Sequence, residues 1–343
     1  MGRKIVLAVL GAVNWDTTLF ESVFAEAGEE VPLCRVEEQP GGKGANVATA
    51  AARLLGRNRV AFVGALGEDD LEAPLRESLR SEGVNTDGLL RLKGESSGHA
   101  FVLVNKEGSK TIHTLFGAND ALVPGHLKIP GVARALSWGS TVVIMDVPLS
   151  FALAAAKLGK NSGSAVVYSP GVRTMGDQSL LEEVLDLSDV LVLDRIELAR
   201  VCPGKAPSHA ARWLHSKHGR LTVIATLGES GCVVARRGSA KVVPAFHLRD
   251  LGLKAVNSTG SGDAFLAAYV CYSMSGLDPE QAATWGNLAG ALKASKAETR
   301  GSPSLSELES SMKSLVRLKE RPRGSPSSRA SSRYRRRSLA GPP

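Results

Sequence analysis

Short apolar runs alternate with longer alanine- and leucine-rich stretches along most of the chain. The runs are continuous in Val, Ile and Leu, as is typical of strands buried on both faces of a parallel sheet. They predict strands at residues 5–13, 60–64, 141–145, 165–169, 190–193 and 223–226. The stretches between them predict helices at residues 45–55, 71–82, 151–158, 180–185 and 208–218. This alternation predicts an α/β doubly wound sheet flanked by helices, with right-handed crossovers.

Two regions, residues 17–41 and 94–117, break this rhythm. They hold shorter strand-like pieces in which polar and apolar residues alternate. One interpretation is a small β-sheet lid, from about residues 14–42 and 94–118, that packs over one end of the large sheet. The alternative is a pair of ordinary surface hairpins.

The last part of the chain divides into a helical segment and a charged tail. Helix-like stretches cover residues 262–275, 279–296 and 304–319. The Arg/Ser/Pro composition of residues 321–343 predicts disorder, so we assign the folded domain to residues 1–320. The tail holds seven arginines and no acidic residue, and so carries nearly all of the formal net charge of +8. It is either plain solvated chain or an arm that binds polyanions. The near-neutral remainder argues against a specific nucleic-acid partner.

The cysteines and the N-terminus favour a soluble cytoplasmic protein. The four cysteines are far apart in a chain of 343 residues, which fits neither a disulfide framework nor a zinc site. The apolar run after Arg3 and Lys4 is too short to span a membrane, and it lacks the small-residue cleavage site of a secretory signal. We therefore expect no membrane partner.

The segment VNSTGSGDAF, residues 256–265, is a small-residue loop that leads into a predicted helix. The backbone N–H groups of Gly260, Ser261 and Gly262 can point at one spot, where the helix N-terminus adds positive potential. The segment therefore predicts an anion hole for a phosphoryl group, with Asp263 beside it to take a proton from an attacking hydroxyl. The alternative is that Asp263 merely caps the helix.

A second glycine-rich turn, QPGGKGANVA at residues 39–48, also opens a predicted helix. It lacks the spacing of a Walker P-loop and the third glycine of a dinucleotide fingerprint. Its glycines let a ligand approach the backbone closely, while Lys43 and Asn46 supply donors. Asn14 and Asp16 follow the first predicted strand, at the edge where open α/β sheets bind ligands. These residues suit the hydroxyl groups of a small molecule.

Together these segments resemble the PfkB or ribokinase-like family of carbohydrate kinases. The two signatures of that family correspond to GGKGAN at residues 41–46 and NSTGSGDAF at residues 257–265. Intermediate segments match as well, in the same order: VNWD at 13–16, FVGALGED at 62–69, GAN at 117–119 and TLGESG at 226–231. The resemblance covers roughly residues 4–319, and the ordered set is more specific than either signature alone.

The resemblance implies a ribokinase-like fold and a kinase that uses ATP and Mg²⁺, with Asp263 as the base and Gly260, Ser261 and Gly262 as the anion hole. It implies substrate contacts by Asn14, Asp16, Gly41, Gly42, Lys43, Asn46, Asp146 and Asp263. The nucleotide site would be formed by Asp194, Thr226, Gly228, Gly231, Gly262 and Asn287, and Mg²⁺ would be held by Asp194 and Glu197. Members of the family often dimerise through the lid, so a homodimer is a further expectation.

The sequence departs from the family pattern at two places. The N-x-x-E motif, which organises Mg²⁺ and phosphates in the family, is Asp194-Arg195-Ile196-Glu197 here. Asp194 would either hold a metal more tightly or repel phosphate, and Arg195 would pair with phosphate or with Glu197. Asn257 replaces an aspartate that helps to build the cation site of members activated by K⁺. The loss of that charge weakens the expectation of K⁺ activation.

We favour a sugar as the substrate over a nucleoside, which kinases on the same scaffold also use. The departures at Asp194, Arg195 and Asn257 prompt a different alternative, a catalytically silent ligand-binding or regulatory protein. The intact Lys43 and Asp263 count against that alternative. A Rossmann oxidoreductase is a third alternative, and no dinucleotide fingerprint supports it.

Overall fold

The structure, a computed structural model of the chain, describes residues 6–320. The strands are β1 (Leu7–Gly11), β2 (Asn14–Glu21), β3 (Leu33–Gly41), β4 (Val60–Leu66), β5 (Asn85–Arg91), β6 (Gly98–Val104), β7 (Lys110–Leu115), β8 (Thr141–Met145), β9 (Ala165–Ser169), β10 (Val190–Asp194), β11 (Thr222–Thr226), β12 (Cys232–Arg236) and β13 (Ser239–Val243). The α-helices are α1 (Lys43–Leu55), α2 (Glu72–Ser81), α3 (Pro130–Trp138), α4 (Leu149–Asn161), α5 (Gln178–Leu187), α6 (Arg195–Val201), α7 (Pro207–His218), α8 (Ser261–Met274), α9 (Pro279–Ala294) and α10 (Leu305–Glu320). In the part of the chain so described, none of these helices is long and apolar enough to cross a membrane.

Nine strands form one large sheet in the order β13-β12-β11-β10-β9-β8-β1-β4-β5. The strands from β11 to β5 are parallel to their neighbours, and only the β12–β13 hairpin runs antiparallel at one edge. On β1, Leu7 and Val9 pack against one helix layer while Ala8 and Leu10 pack against the other. Helices α1, α2 and α8 to α10 cover the first face, and α3 to α7 cover the second. The predicted doubly wound fold is confirmed.

Four strands form a second, small sheet in the order β3-β2-β6-β7. Two antiparallel hairpins, β2–β3 and β6–β7, are joined because β2 and β6 pair in parallel. Lys110 on β7 donates a hydrogen bond to the Thr259 hydroxyl at 3.1 Å, so this sheet reaches the loop before α8. The alternative of two separate surface hairpins is therefore wrong. We call this four-stranded sheet the lid.

The predicted elements differ from the observed ones mainly at the edges of the large sheet. The first predicted strand began at Ile5, which lies outside the described residues, and β1 ends at Gly11 rather than Val13. The patterns missed the edge strand β5, the β12–β13 hairpin and the helices α3 and α6. The predicted tail at residues 321–343 also lies outside the described residues.

Helix α1 lies against the end of β1 through glycines. Gly42, just before the helix, has a φ of 89°, a left-handed conformation that favours glycine. A Cβ on Gly44 would lie 2.5 Å from the Cα of Gly11, so the two backbones are in direct contact there. Because of this contact, Lys43 and Asn46 project from a backbone that is fixed on the end of the central strand.

We predict that Gly44→Ala lowers the free energy of unfolding by about 1–3 kcal/mol, as overpacking of a rigid contact does. This loss should appear although alanine is the better helix former by about 1 kcal/mol. Gly125→Ala is the control, since a Cβ there meets nothing within 4 Å. Urea unfolding of both variants would measure the difference, and equal stability of Gly44→Ala and the wild type would contradict the prediction.

Candidate active site

Helix α8 begins at a left-handed glycine. Gly260, the N-cap residue, has a φ of 83°, and a Cβ on it would clash with the carbonyl oxygen of Thr299. A Cβ on Gly262 would meet nothing within 4 Å, so the backbone there is open to a ligand at the positive end of the helix. The Ser261 hydroxyl is buried and has no hydrogen-bond partner within residues 6–320. These features suit a phosphoryl group.

Asp263, in the first turn of α8, faces helix α1. Its Oδ2 accepts a hydrogen bond from Asn46 Nδ2 at 2.8 Å. The carboxylate thus bonds a side chain of α1 rather than a backbone N–H of α8, in which it differs from a simple helix cap. Burial raises the pKa of Asp263, although the hydrogen bond from Asn46 and the charge of Lys43 oppose the shift. A raised pKa increases the affinity of this carboxylate for a proton.

Arg300, from the loop between α9 and α10, fixes the orientation of Asn46. Its Nε donates to Asn46 Oδ1 at 3.1 Å, which leaves the amide nitrogen of Asn46 pointing at Asp263. Its two remaining nitrogens donate to the Gly41 carbonyl oxygen and to the Ser78 hydroxyl, each at 2.7 Å. One partly buried guanidinium thus connects the glycine-rich turn before α1 with the side chain that contacts Asp263.

Asp16 is carried into the site by strand β2 of the lid. Its side chain is buried, and a Cβ on Gly41 would overlap its carboxyl group, which explains the glycine at that position. Burial raises the pKa of Asp16 to about 7; the neighbouring Arg300 opposes the shift and the charge of Asp263 adds to it. Its Oδ1 is buried and accepts no hydrogen bond from any described residue. A hydroxyl group of a ligand would satisfy this oxygen.

Asn14 is oriented by Asn119, which follows strand β7. The Asn119 Nδ2 donates to the Asn14 Oδ1 at 3.0 Å and to the Val13 carbonyl oxygen at 3.1 Å. The Asn119 Oδ1 accepts from the Val13 N–H at 3.0 Å. Because Asn119 holds the oxygen of Asn14, the amide N–H₂ of Asn14 is the part left to donate to a ligand.

Asp146 follows strand β8 in a left-handed conformation with a φ of 51°. A Cβ on Gly171 would lie 2.9 Å from its carboxyl oxygen, so the next loop packs closely over it. The Arg173 Nε lies 3.8 Å from the Asp146 Oδ1. Burial raises the pKa of Asp146, while the charges of Lys43 and Arg173 lower it. A non-glycine residue in this conformation costs free energy, which the packing around Asp146 must offset.

Lys43 joins the carboxylates of the site to helix α6. Its Nζ donates to the Glu197 Oε1 at 3.2 Å, and its side chain is 43% exposed. Burial disfavours its charge, but Glu197, Asp146 and Asp263 outweigh burial and raise the pKa of Lys43 above its ordinary value. Lys43 is therefore a cation at neutral pH, available to an anionic group that enters between these carboxylates.

Asp194 and Glu197 form a reciprocal cap at the start of α6. The Asp194 Oδ1 accepts from the Glu197 N–H at 2.7 Å, and the Glu197 Oε2 accepts from the Asp194 N–H at 2.9 Å. The second oxygen of the exposed Asp194 takes no part in this cap. Arg195 does not pair with Glu197 but donates to the Leu227 carbonyl oxygen at 3.2 Å. Mg²⁺ usually binds one or two carboxylates together with phosphate oxygens and water. The second Asp194 oxygen suits such a ligand, whereas both Glu197 oxygens already accept hydrogen bonds, from Lys43 and from the Asp194 N–H.

The residues expected at the nucleotide lie around the ends of β10, β11 and β13. Thr226 is directly opposite Asp194 in the β10–β11 pairing. Gly228 has open space where a Cβ would be, whereas a Cβ on Gly231 would clash with the backbone after β13. The Asn287 amide donates to two carbonyl oxygens at the end of β13, at 3.1 and 3.0 Å, and so holds this loop in place.

The site contains charged and polar residues that the sequence motifs did not indicate. These are Asn119, Arg173, Lys293 and Arg300. Asn119 was visible in the sequence as part of the GAN segment, but nothing in that segment indicated its partner. No sequence motif surrounds Arg173, Lys293 or Arg300. Each binds residues that are distant in the sequence and come close only in the folded protein.

Known proteins of one family are similar to this chain over most of its length. The family model described as "pfkB family carbohydrate kinase" matches residues 4–305. The ribokinase of Haemophilus influenzae is 29% identical over 295 residues, which cover 84% of this chain and 92% of that protein. The deoxyribokinase of Salmonella typhi is 30% identical over 287 residues, which cover 80% of this chain and 88% of that protein.

A solved structure shares the whole architecture. The ribokinase of Arabidopsis thaliana, complexed with ribose and ATP, superimposes with a TM-score of 0.77 at 25% sequence identity. The match covers 91% of this chain and 99% of that one. The chain therefore belongs to the pfkB family of carbohydrate kinases. It is an enzyme that phosphorylates an alcohol group, as the resemblance of its sequence motifs implied.

We predict that the proton bound by Asp16 makes the free energy of unfolding decrease as the pH rises. A folded-state pKa of about 7, against an ordinary value of 3.8, means that the folded protein binds more protons than the unfolded chain between these values. Raising the pH from about 5 to about 8 should thus cost the wild type about 2–3 kcal/mol more than Asp16→Asn. Urea unfolding across this range measures the difference.

The exposed Asp70, just before α2, provides the control. Asp70→Asn should keep the pH dependence of the wild type. If Asp16→Asn also kept it, the carboxyl group of Asp16 would have its ordinary pKa in the folded protein, contrary to the prediction.

Proposed function

We propose that this kinase transfers the γ-phosphoryl group of ATP to a hydroxyl group of a sugar, with Asp263 as the general base. The observation that carries the proposal is the position of Asp263. Its carboxylate lies in the first turn of α8, beside the open backbone of Gly262, and is held by Asn46 at 2.8 Å. The proposed base and the proposed anion hole would thus lie side by side, as phosphoryl transfer from ATP requires.

In the proposed reaction, Asp263 accepts the proton of the substrate hydroxyl while the hydroxyl oxygen attacks the γ-phosphorus. The new oxygen–phosphorus bond forms as the bond to the β-phosphate oxygen breaks, and ADP leaves. The N–H groups at Gly260 and Gly262 and the Lys43 ammonium would stabilise the negative charge on the transferred group. The Ser261 N–H already donates to the Ser258 carbonyl oxygen at 3.1 Å, so Ser261 would contribute its hydroxyl, which has no partner within residues 6–320. The raised pKa of Asp263 supports its role, because general bases work best when their pKa approaches the working pH.

The nucleotide is proposed to lie along the ends of β10 and β11. Thr226, Gly228 and Gly231 would line its site, and Asn287 would support the loop near the adenine. Asp194 and Glu197 would hold Mg²⁺, which would neutralise charge on the phosphates. The Arabidopsis ribokinase complexed with ribose and ATP supports ATP as the phosphoryl donor.

A sugar is the proposed acceptor because the substrate side of the site is lined by groups that bind hydroxyls. Asp16 and Asp146 present carboxylate oxygens, and Asn14 presents an amide. The relatives named ribokinase and deoxyribokinase support the same class of substrate. A nucleoside, which carries the same ribose hydroxyls, is the second candidate. Turnover measured with ribose, deoxyribose, fructose and a set of nucleosides would separate the two.

We also propose that the enzyme works in a reducing compartment such as the cytoplasm. Cys202, Cys232 and Cys271 are buried as free thiols, and Cys34 is a free thiol exposed on the lid. Free thiols are typical of proteins in the cytoplasm. Neither a membrane nor a nucleic acid is proposed as a partner.

We predict that Asp263→Asn lowers kcat by about 10²–10⁴-fold, the usual contribution of a general base. ADP release should depend on the sugar in the wild type and be nearly lost in the variant, while the affinity for ATP stays similar. Asp250→Asn is the matched control, since Asp250 is 53% exposed and pairs only weakly with Arg249. Wild-type kcat in Asp263→Asn would remove Asp263 from the mechanism. Nucleotide binding without turnover of any acceptor would favour a silent binding protein.

We further predict a homodimer formed through the lid. The face of the lid that carries Val36, Phe101 and Leu115 exposes 50%, 38% and 56% of these residues, and exposed apolar patches often mark interfaces. Val36→Glu should convert the dimer to a monomer in sedimentation velocity runs. Val242→Glu, at a position 62% exposed on the edge of the large sheet, should leave the dimer intact. A wild type that sediments as a monomer would refute the dimer.

A further inference from the structure

Lys293 is completely buried near the end of helix α9. Its relative exposure is 0%, although a lysine is rarely placed in a protein interior without a partner. Its Nζ donates to the backbone carbonyl oxygens of Asn257, at 2.8 Å, and of Lys296, at 3.4 Å. The two acceptors are neutral, so this is a buried cation held by carbonyl dipoles rather than an ion pair.

The position of Lys293 connects it to the anion hole. The Asn257 carbonyl that it holds lies three residues before Gly260, and the Asn257 Oδ1 accepts from the Thr259 N–H at 2.9 Å. A Cβ on Gly260 would lie 3.5 Å from the Cε of Lys293. The ammonium group therefore lies directly behind the loop whose N–H groups are proposed to bind the phosphoryl group.

The Lys296 carbonyl oxygen, the second acceptor of Lys293, lies in the loop after α9. Lys296 begins the loop that leads to Thr299, whose carbonyl oxygen contacts Gly260, and to Arg300, which orients Asn46. The Asn257 side chain adds a parallel connection, because its Nδ2 donates to the Ala297 carbonyl oxygen at 2.7 Å. Lys293 thus holds two loops that meet at the start of α8.

Carbonyl oxygens that converge on one point are also the ligands that bind K⁺, whose hydration shell they replace. An ammonium group on a side chain can satisfy the same carbonyls, and its three N–H donors point in defined directions. Because it is covalently attached, it occupies the position at any salt concentration. This distinguishes a lysine from an ion that must be recruited from solution.

We propose that the ammonium group of Lys293 is a built-in cation that positions the Asn257–Gly260 loop for phosphoryl binding, so that the enzyme needs no monovalent metal ion there. The proposal rests on the proposed kinase function. Lys293 is a positioning residue, since it acts through the backbone of the loop and does not contact the substrate.

The charge of Lys293 persists at neutral pH. Burial lowers its pKa to about 8, and the charges of Lys110 and Lys296 act in the same direction, while Glu298 and Asp263 oppose them. Because this value is still above neutral pH, the amine is mostly protonated under physiological conditions. A cation is therefore available to the loop without any added ion.

The first arm of the test uses the wild-type enzyme. Kinase activity and ADP affinity are measured in a tetramethylammonium buffer, and KCl is then added at constant ionic strength. The proposal expects kcat, KM for ATP and ADP affinity to stay unchanged. An increase of about tenfold or more in kcat/KM on addition of K⁺ would overturn it.

The second arm replaces the cation. Lys293→Met keeps the length of the side chain, and we expect kcat/KM for ATP to fall about 10²-fold, as a small displacement of a catalytic loop can cause. Added K⁺ or NH₄⁺ should restore part of this loss, because a free cation can then approach the carbonyls of Asn257 and Lys296. Lys296→Met is the control, since the ammonium of Lys296 pairs with Glu307 at 2.8 Å away from these carbonyls.

Two results of the second arm would overturn the proposal. One is a Lys293→Met variant as active as the wild type, and the other is a variant impaired to the same extent in every salt, which would mean that Lys293 serves only packing. If the variant does not fold, the ion titration of the wild type decides alone. If the wild type phosphorylates no acceptor, the proposed function fails, and ADP affinity measured by calorimetry in the same salts still tests Lys293.

Discussion

The contact between the backbones of Gly11 and Gly44 is the constraint on which the site depends. It lets helix α1 approach the end of the central strand far more closely than any larger residue would allow. Lys43 and Asn46 are thereby fixed relative to β1, and α8, which packs beside α1, brings Asp263 to Asn46. The 217 positions that separate Asn46 from Asp263 in the sequence are thus bridged by packing between two helices that both start at a glycine.

The centre of the fold was predictable because its strands are buried on both faces. The sequence pattern indicated β8 and β9 with the bounds that the structure has, since short runs rich in Val and Ile are typical of strands buried on both faces of a parallel sheet. The hairpin β12–β13 was missed for a local reason. Its turn contains Arg237 and Gly238, both with positive φ, and an arginine at the first position lacks the Asn-Gly or Asp-Gly signal of such turns.

The candidate site was predictable where its chemistry lies in a motif, as at Gly260 and Asp263. It was not predictable where a side chain acts on a distant backbone, as Arg300 and Lys293 do, because residue type alone does not reveal a tertiary partner. Asp194 and Glu197 are an intermediate case. Their spacing is that of a capping box, which the sequence alone reveals. In the sequence analysis we interpret the same spacing only as a variant of the N-x-x-E motif for Mg²⁺. A single pair of carboxylates can hold the helix start and still leave an oxygen for an ion.

The hydrogen bonds between Asn119 and Val13 have a consequence for the attachment of the lid. Asn119 bonds both backbone groups of Val13 and the side chain of Asn14, so the chain is clamped at the point where it leaves the large sheet for the lid. In a motion of the lid, this clamp would keep the start of strand β2 with the large sheet, so that β2 would twist beyond Asn14. Asp16, beyond the clamp, would travel with the lid, whereas Asn14 would stay behind with the large sheet. The two hydroxyl-binding side chains of β2 are therefore held in different ways, Asn14 by the clamp and Asp16 by the position of the lid itself.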